Sequence, residues 1–548
     1  MSTHGRTALI VALALVGIAG LSAFCWFVSS EMPLFLTTAA KEAQPAGSRI
    51  QHPIMLRRHA GPAFTPDEVH AFLAKVRSAE TVADPLQRCL SYPDPPRSHW
   101  SPAAVEAYCQ YHLHKTLSFD EARALIQSGH AAELDRQLAQ VLQAQLTRPD
   151  SHGFLDHTYF AAFEDGSLDV RETLDAWKRA SPSSAFAYAA SGTAYVAMAW
   201  KARGADYISE TPQSNIDAMD RLLERADTDL QRAMALNPQI TPTYVAMIYA
   251  GSMSLGSGYM RRAARLGLAA APDNYAIYGM LSHAAEPRWG GSLAAMDRVA
   301  QQAQAHIKQN PLLAIVLAAG PAYRYDVCNC ESSVDWSAYP TVFDNVASTA
   351  LLGSAGKTAS ENGHPDLAVV YLSEVMRFLP GALDTRRQRD SNLVSVDESQ
   401  MALDDANRLI AANPMDPSNY QLRGTVYMMR GDSPNAEKDL EHALAMDPDN
   451  IDVLGPLGSL YMDQTHEWDK AWDITDRIIR KYPGSPAGWV MRATIQETQP
   501  RAGLEDTYQY FVRQFGNDPS MQWQINHMRE LLAKSPQKVV AGPAPKSH

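Results

Sequence analysis

The residues of this chain with the strongest claim to chemistry are Cys328 and Cys330, two thiols separated by a single Asn. In an oxidising compartment such a pair can close a strained ring, cycle as a redox couple, hold copper through soft sulfur ligands, or cross-link elsewhere. With Cys25 set aside inside an apolar run, Cys89, Cys109, Cys328 and Cys330 admit three pairings. A structural role is the favoured reading for an oxidising compartment. The expected bridge joins Cys89 to Cys109, which flank a Pro-rich loop, and Cys328 with Cys330 remains the redox candidate.

Other motifs fail on context. Gly353-Ser354-Ala355-Gly356-Lys357-Thr358 suggests a phosphate loop, but Leu351 stands where that motif needs glycine, and no hydrophobic strand leads into it. Ser354-x-x-Lys357 matches the first motif of serine acyl enzymes without its companions. His112 and His114 lie two apart, which on a helix turns them to different faces. His152 and His157 flank a Gly-containing turn without matching acids. No His-Glu-x-x-His, paired Cys-x-x-Cys or EF-hand spacing occurs. The expectation is a protein with no catalytic residue, no cofactor and no metal. Trp289, between Arg288 and Gly290-Gly291, either plugs a junction between helical hairpins or offers a stacking surface, and the plug is favoured.

A net charge of −12 without clustered Lys or Arg argues against a nucleic-acid partner. Arg57-Arg58 and Arg386-Arg387 are short pairs that read as solvated surface. The 46% hydrophobic and 20% charged content is that of a folded protein. Residues 8–28 carry no charged side chain and would make a helix about 31 Å long, enough to cross a hydrocarbon core. Arg6 before that run and Glu31 after it put the N-terminus in the cytoplasm and the rest outside. Signal cleavage near Thr38-Ala39-Ala40 is the alternative.

The elements that must position these residues read as helices. Thr65-Pro66-Asp67-Glu68 is a helix start leading into Val69, Phe72, Leu73 and Val76. Residues 89–100 are Pro-rich and read as a loop, and Ser101-Pro102 restarts a helix. Hairpins are expected over 119–146, broken at Ser128-Gly129, and over 156–174, turning at Asp165-Gly166. An Ala-rich helix over 183–202 precedes one over 219–236, with Ala226, Leu230, Ala233 and Pro238 at repeat spacing. At a lag of about 34 residues, Tyr420, Gly424, Tyr427, Ala436, Leu440, Ala443 and Pro448 fall over Leu454, Gly458, Tyr461, Ala471, Thr475, Ile478 and Pro483. A weaker copy over 349–380 keeps Leu352, Gly356, Ala368, Leu372 and Val375. Residues 385–400 depart from the first helix of a repeat, 401–413 restore a second helix, and Pro456 is expected to kink its helix.

These positions resemble the tetratricopeptide (TPR) repeat. The stretch Glu286-Pro287-Arg288-Trp289-Gly290-Gly291-Ser292, with its surrounding helices, resembles an uncharacterised bacterial family, domain of unknown function 4034, over roughly 119–311. The resemblance implies an architecture and no reaction. The fold expected is an all-α, TPR-like α-solenoid of helical hairpins behind an N-terminal transmembrane helix. Its parts are an anchor at 1–30, a linker at 31–62, a small helical region at 63–118, the family region at 119–320, a C-terminal solenoid at 321–534 and a disordered tail at 535–548. In the repeat family a groove is lined by fixed positions of the first helix, here Gln421, Thr425, Met428 and Met429, then Ser459 and Met462. This lining has no Lys or Arg, unlike the carboxylate-clamp subtype, and suits an apolar peptide. The plainer alternative is that the chain's own insertions fill it. The expected function is a membrane-anchored scaffold for a protein or peptide partner, held in the bacterial inner membrane with its bulk in the periplasm, or secreted after cleavage. Two other readings are a redox or metal-binding envelope protein using Cys328 and Cys330, and a structural module of an envelope complex.

Overall fold

The computed structural model describes residues 63–204, 210–328, 334–499 and 501–534, and every regular element among them is helical. The predicted membrane helix at 8–28, the linker and the tail from Ser535 lie outside the described residues. Among the described residues no helix is long and apolar enough to cross a membrane. Two compact units divide between Arg389 and Asp390, not near residue 320.

The first unit explains that shift of boundary. Helix Pro66–Ala79 opens with a reciprocal cap, in which Thr65 N–H donates to the Glu68 carboxylate at 2.8 Å and the Thr65 hydroxyl accepts from Glu68 N–H. Helix Pro85–Ser91 follows, so Cys89 is helical and the Pro-rich loop starts only at Tyr92. A disulfide joins Cys89 to Cys109 of helix Pro102–Leu113, with Cα atoms 6.0 Å apart. All three helices pack against helix Pro365–Phe378, some 280 residues later in the chain. Phe64 N–H donates to Asp366 Oδ2 at 2.9 Å, Trp100 Nε1 to the Phe343 carbonyl at 2.9 Å, and Arg377 Nε to the Cys89 carbonyl at 2.9 Å. The region 63–118 is thus one body with residues that the sequence assigned to the C-terminal solenoid.

Between these ends run hairpins of two helices each. Phe119–Gln127 pairs with Ala131–Thr147, turning through Gly129 at φ +80°, a left-handed conformation that suits glycine. The Ala-rich helix Ala185–Arg203 packs along Gln213–Leu236. There a Cβ on Gly192 would lie 2.5 Å from Leu230, so only glycine allows the approach. Thr241–Ala250, Ser257–Ala270, Tyr275–Ala284 and Leu293–Gln304 continue the alternation.

Residues 385–400, read as a departure from the repeat, are helical over Leu383–Leu393. Sequence periodicity misses this helix because it has no apolar stripe. Arg389 is fully buried and donates to Glu80 at 2.9 Å, so ion pairing replaces the apolar face.

In the second unit, Ser399–Ala412 precedes the hairpins Pro417–Met429 with Ser433–Met446, Ile451–Asp463 with Trp468–Lys481, and Pro486–Thr498 with Leu504–Phe515, before a final helix Gln522–Lys534. Asp416, Asn450 and Ser485 cap the first helix of each. Leu440, Leu454, Leu457, Ile474, Ile478 and Met491 form a shared core across consecutive hairpins, as stacked repeats require. The helix Ile451–Asp463 continues through Pro456.

Candidate functional site

Which surface the repeats offer depends on which stripe of each first helix is consumed by its own hairpin. In Pro417–Met429 that stripe centres on Gly424, where a Cβ would lie 2.8 Å from Leu440 Cγ. Beside it, Arg423 donates through Nε and Nη2 to the buried Asp439 carboxylate at 2.6 and 2.8 Å. Tyr420 meets His442 edge-on with ring centroids 4.5 Å apart. These contacts turn Tyr420, Arg423 and Gly424 toward the Ser433–Met446 helix.

Gln421, Thr425 and Met429 fall four apart on another face and are half-buried, with Gln421 Nε2 donating to Thr425 Oγ1 at 3.2 Å. Met428 does not join them. It lies one turn beyond Gly424, is only 2% exposed, and packs with Ala436, Leu440 and Leu454. Ser459 and Met462 are each 7% exposed. Their helix buries every residue from Val453 to Met462, because it touches both the preceding and the following hairpin. Of the six residues expected to line a groove, the structure keeps Gln421, Thr425 and Met429 at the surface and takes Met428, Ser459 and Met462 inside.

The phosphate-loop and histidine candidates resolve into packing. Gly353–Thr358 sits within helix Thr349–Glu361, and a Cβ on Gly356 would lie 2.5 Å from Leu372, the same fit as Gly424 with Leu440. A helix interior has its N–H groups engaged and cannot cradle a phosphate. Cys328 is disulfide-bonded, and Cys330 lies outside the described residues. His112 and His157 meet edge-on at 5.9 Å, while His114 stacks on Phe154 at 3.7 Å. Trp289 is half-buried and meets Trp200 edge-on at 6.0 Å and His283 at 5.5 Å. Among the described residues no three His, Cys, Asp or Glu side chains are grouped to hold a metal.

Two buried acids escaped sequence analysis. Burial pushes the Asp156 carboxyl up to about 6, against hydrogen bonds from Asn274 at 2.7 Å, Thr241 at 2.9 Å and Gln145 at 3.4 Å. It pins three hairpins at one point. Burial likewise pushes Glu374 up to about 8 despite Arg377 Nη1 at 3.2 Å. Neither residue stands in a motif, and only the packing of distant helices encloses them. Also unforeseen is a cleft of about 520 Å³ between the second helices Ser433–Met446 and Trp468–Lys481.

With this geometry in place, likeness to known proteins can be stated. Residues 119–258 match the family described as domain of unknown function (DUF4034), a narrower span than 119–311 and one that excludes the Trp289 stretch. No curated protein matches the chain. Among solved structures, yeast Tom70 is similar at 12% identity over 76% of this chain and 95% of its own, with a TM-score of 0.30. The TPR domain of P58(IPK) is similar at 12% identity over 74% of this chain and 99% of its own, with a TM-score of 0.19. At such scores nothing about function transfers from either. The chain is thus similar to the DUF4034 family over residues 119–258, and its stacked hairpins are TPR-like in their small-to-large crossings.

Proposed function

We propose that this protein is a scaffold for a protein or peptide partner, displayed on the repeats of its second unit. The observation that carries the reading is the row Gln421, Thr425 and Met429, neutral side chains left at the surface of a helix whose opposite stripe is locked into its hairpin. A polarizable Met among uncharged hydrogen-bonding groups suits an apolar peptide segment. In-cell crosslinking followed by mass spectrometry tests it. Met429→Glu with Thr425→Arg should abolish a crosslinked partner seen with the unaltered chain while leaving the helical circular dichroism unchanged. An undiminished partner band would refute the reading.

We further propose that residues 8–28 anchor the chain in a membrane, with the remainder on the oxidising side. The uncharged run and the Cys89–Cys109 bridge support this together, because disulfides persist where thiols are not kept reduced. Protease added to spheroplasts should degrade the chain without lysis, and full protection would overturn this topology.

A further inference from the structure

We propose that the cleft between the second helices Ser433–Met446 and Trp468–Lys481 docks a cationic amphipathic helix of a partner protein. The proposal deepens the scaffold reading and rests on it, but assigns a different face of the repeats. The cleft, about 520 Å³, has an aliphatic floor that includes Leu457 and Ile474, with Tyr461 on its wall and Ala445 at its lip. Ala445 is exposed and short, so the lip is open. The space suits a row of inserted side chains and is too small for an entire helix, so a helix would lie along it and insert one face.

Charge decides what kind of helix. The basic groups at the rim are already engaged within the protein. Lys470 Nζ lies 2.7 Å from both Glu437 and Glu467, Arg477 Nε lies 3.3 Å from Asp449, and Lys481 Nζ lies 2.6 Å from Asp449. On the acidic side, Glu441 accepts from the Tyr461 hydroxyl at 2.9 Å through one oxygen. Asp473 lines the cleft and has no hydrogen bond or ion pair among the described residues. The lining itself carries two acids, Glu441 and Asp473, and two bases, Lys470 and Arg477; both bases are paired with acids outside the lining, which leaves Asp473 as the uncommitted charge. Lys or Arg flanking an aliphatic stripe complements both features.

The first unit supplies an internal precedent. Its helix Pro365–Phe378, also the second of a hairpin, is covered by helices from the chain's own N-terminal region, with Arg377 meeting Asp94 at 2.9 Å. Apolar cover with a charged latch is thus a mode this architecture already uses.

The test uses the full-length chain in nanodiscs of zwitterionic lipid and, as probe, an amphipathic Leu/Lys helix bearing one benzophenone. Photocrosslinks are mapped by peptide mass spectrometry. Crosslinks should fall on residues 441–477, and Ala445→Trp, which fills the lip, and Asp473→Lys should each cut the yield about tenfold. A Leu/Glu helix should give no such crosslinks, and Met429→Glu should leave the Leu/Lys yield unchanged. Equal yield from Leu/Glu, or yield unmoved by Asp473→Lys in a chain with unaltered circular dichroism, overturns the proposal. Crosslinks that instead fall beside Gln421 and disappear in Met429→Glu would overturn the cleft while sparing the scaffold reading.

Discussion

Two hairpins of this molecule share a template and differ in fate. In one, Gly356 receives Leu372, and in the other Gly424 receives Leu440, with the same near-contact of a missing Cβ on a leucine. Yet the second helix of the first pair, Pro365–Phe378, buries 13 of its 14 residues, whereas Ser433–Met446, of equal length, buries only Ala436, Asp439, Leu440 and Ala443. The template governs how two helices cross. What covers their outer side is decided elsewhere, by the N-terminal helices stapled through Cys89–Cys109 in one case and by solvent in the other. A buried outer face adds to the body of its unit, and an open one stays in contact with solvent.

This contrast can be broken at its latch. Arg377→Ala removes a side chain of a residue only 2% exposed and leaves three acceptors, the Cys89 carbonyl, Asp94 and Glu374, without their donor, so it should cost about 3–5 kcal/mol in chemical denaturation of the first unit. The parallel change Arg423→Ala should cost the second unit less, about 1–3 kcal/mol, because Arg423 is partly solvated. Equal costs would mean that the two outer faces are energetically alike. Replacing Cys89 and Cys109 together by Ser should cost about 2–4 kcal/mol, with early proteolytic cuts within residues 64–113 and none induced in 417–534.

The shared part of the template predicts a shared penalty. Gly356→Ala and Gly424→Ala should each destabilise their own hairpin by about 1–3 kcal/mol through overpacking against leucine, read by segment-resolved hydrogen exchange. A neutral result at either would show that the crossing can relax.

pH sharpens the comparison by sign. Glu374 has its carboxyl raised to about 8 in the fold by burial, so folding favours its protonated form. Its contribution is complete below the ordinary carboxylate range and is lost as pH rises through about 8. Glu374→Gln should flatten the fall in first-unit stability over that window. In the second unit, Lys481 and Arg477 hold Asp449 below the ordinary range. That exposed contribution is present at neutral pH and lost on acidification. The smallest effect is expected at Lys470→Ala, whose surface pairs with Glu437 and Glu467 should contribute under about 1 kcal/mol by thermal melting.

Part of this was legible in the residues. A glycine in a helix carries a conformational cost of about 0.5–1 kcal/mol, so Gly424 and Gly356 at a fixed distance from a leucine signalled close crossing. Thr65-Pro66-Asp67-Glu68 announced a cap because its bonds are local. Met428, Ser459 and Met462 were misplaced because helical spacing places a residue on a face without saying what the next hairpin does to that face. The helix Leu383–Leu393 was missed because a helix held by ion pairs leaves no apolar period to count.

The sequence by itself determined the helices, their caps and the small-to-large fit within each hairpin, since these depend on residues at most a few tens of positions apart. Only the tertiary structure decided that Cys89, Glu80 and Phe64 belong with Arg377, Arg389 and Asp366. Contacts spanning hundreds of residues carry no periodicity, and their partners become readable only when the chain has brought them together.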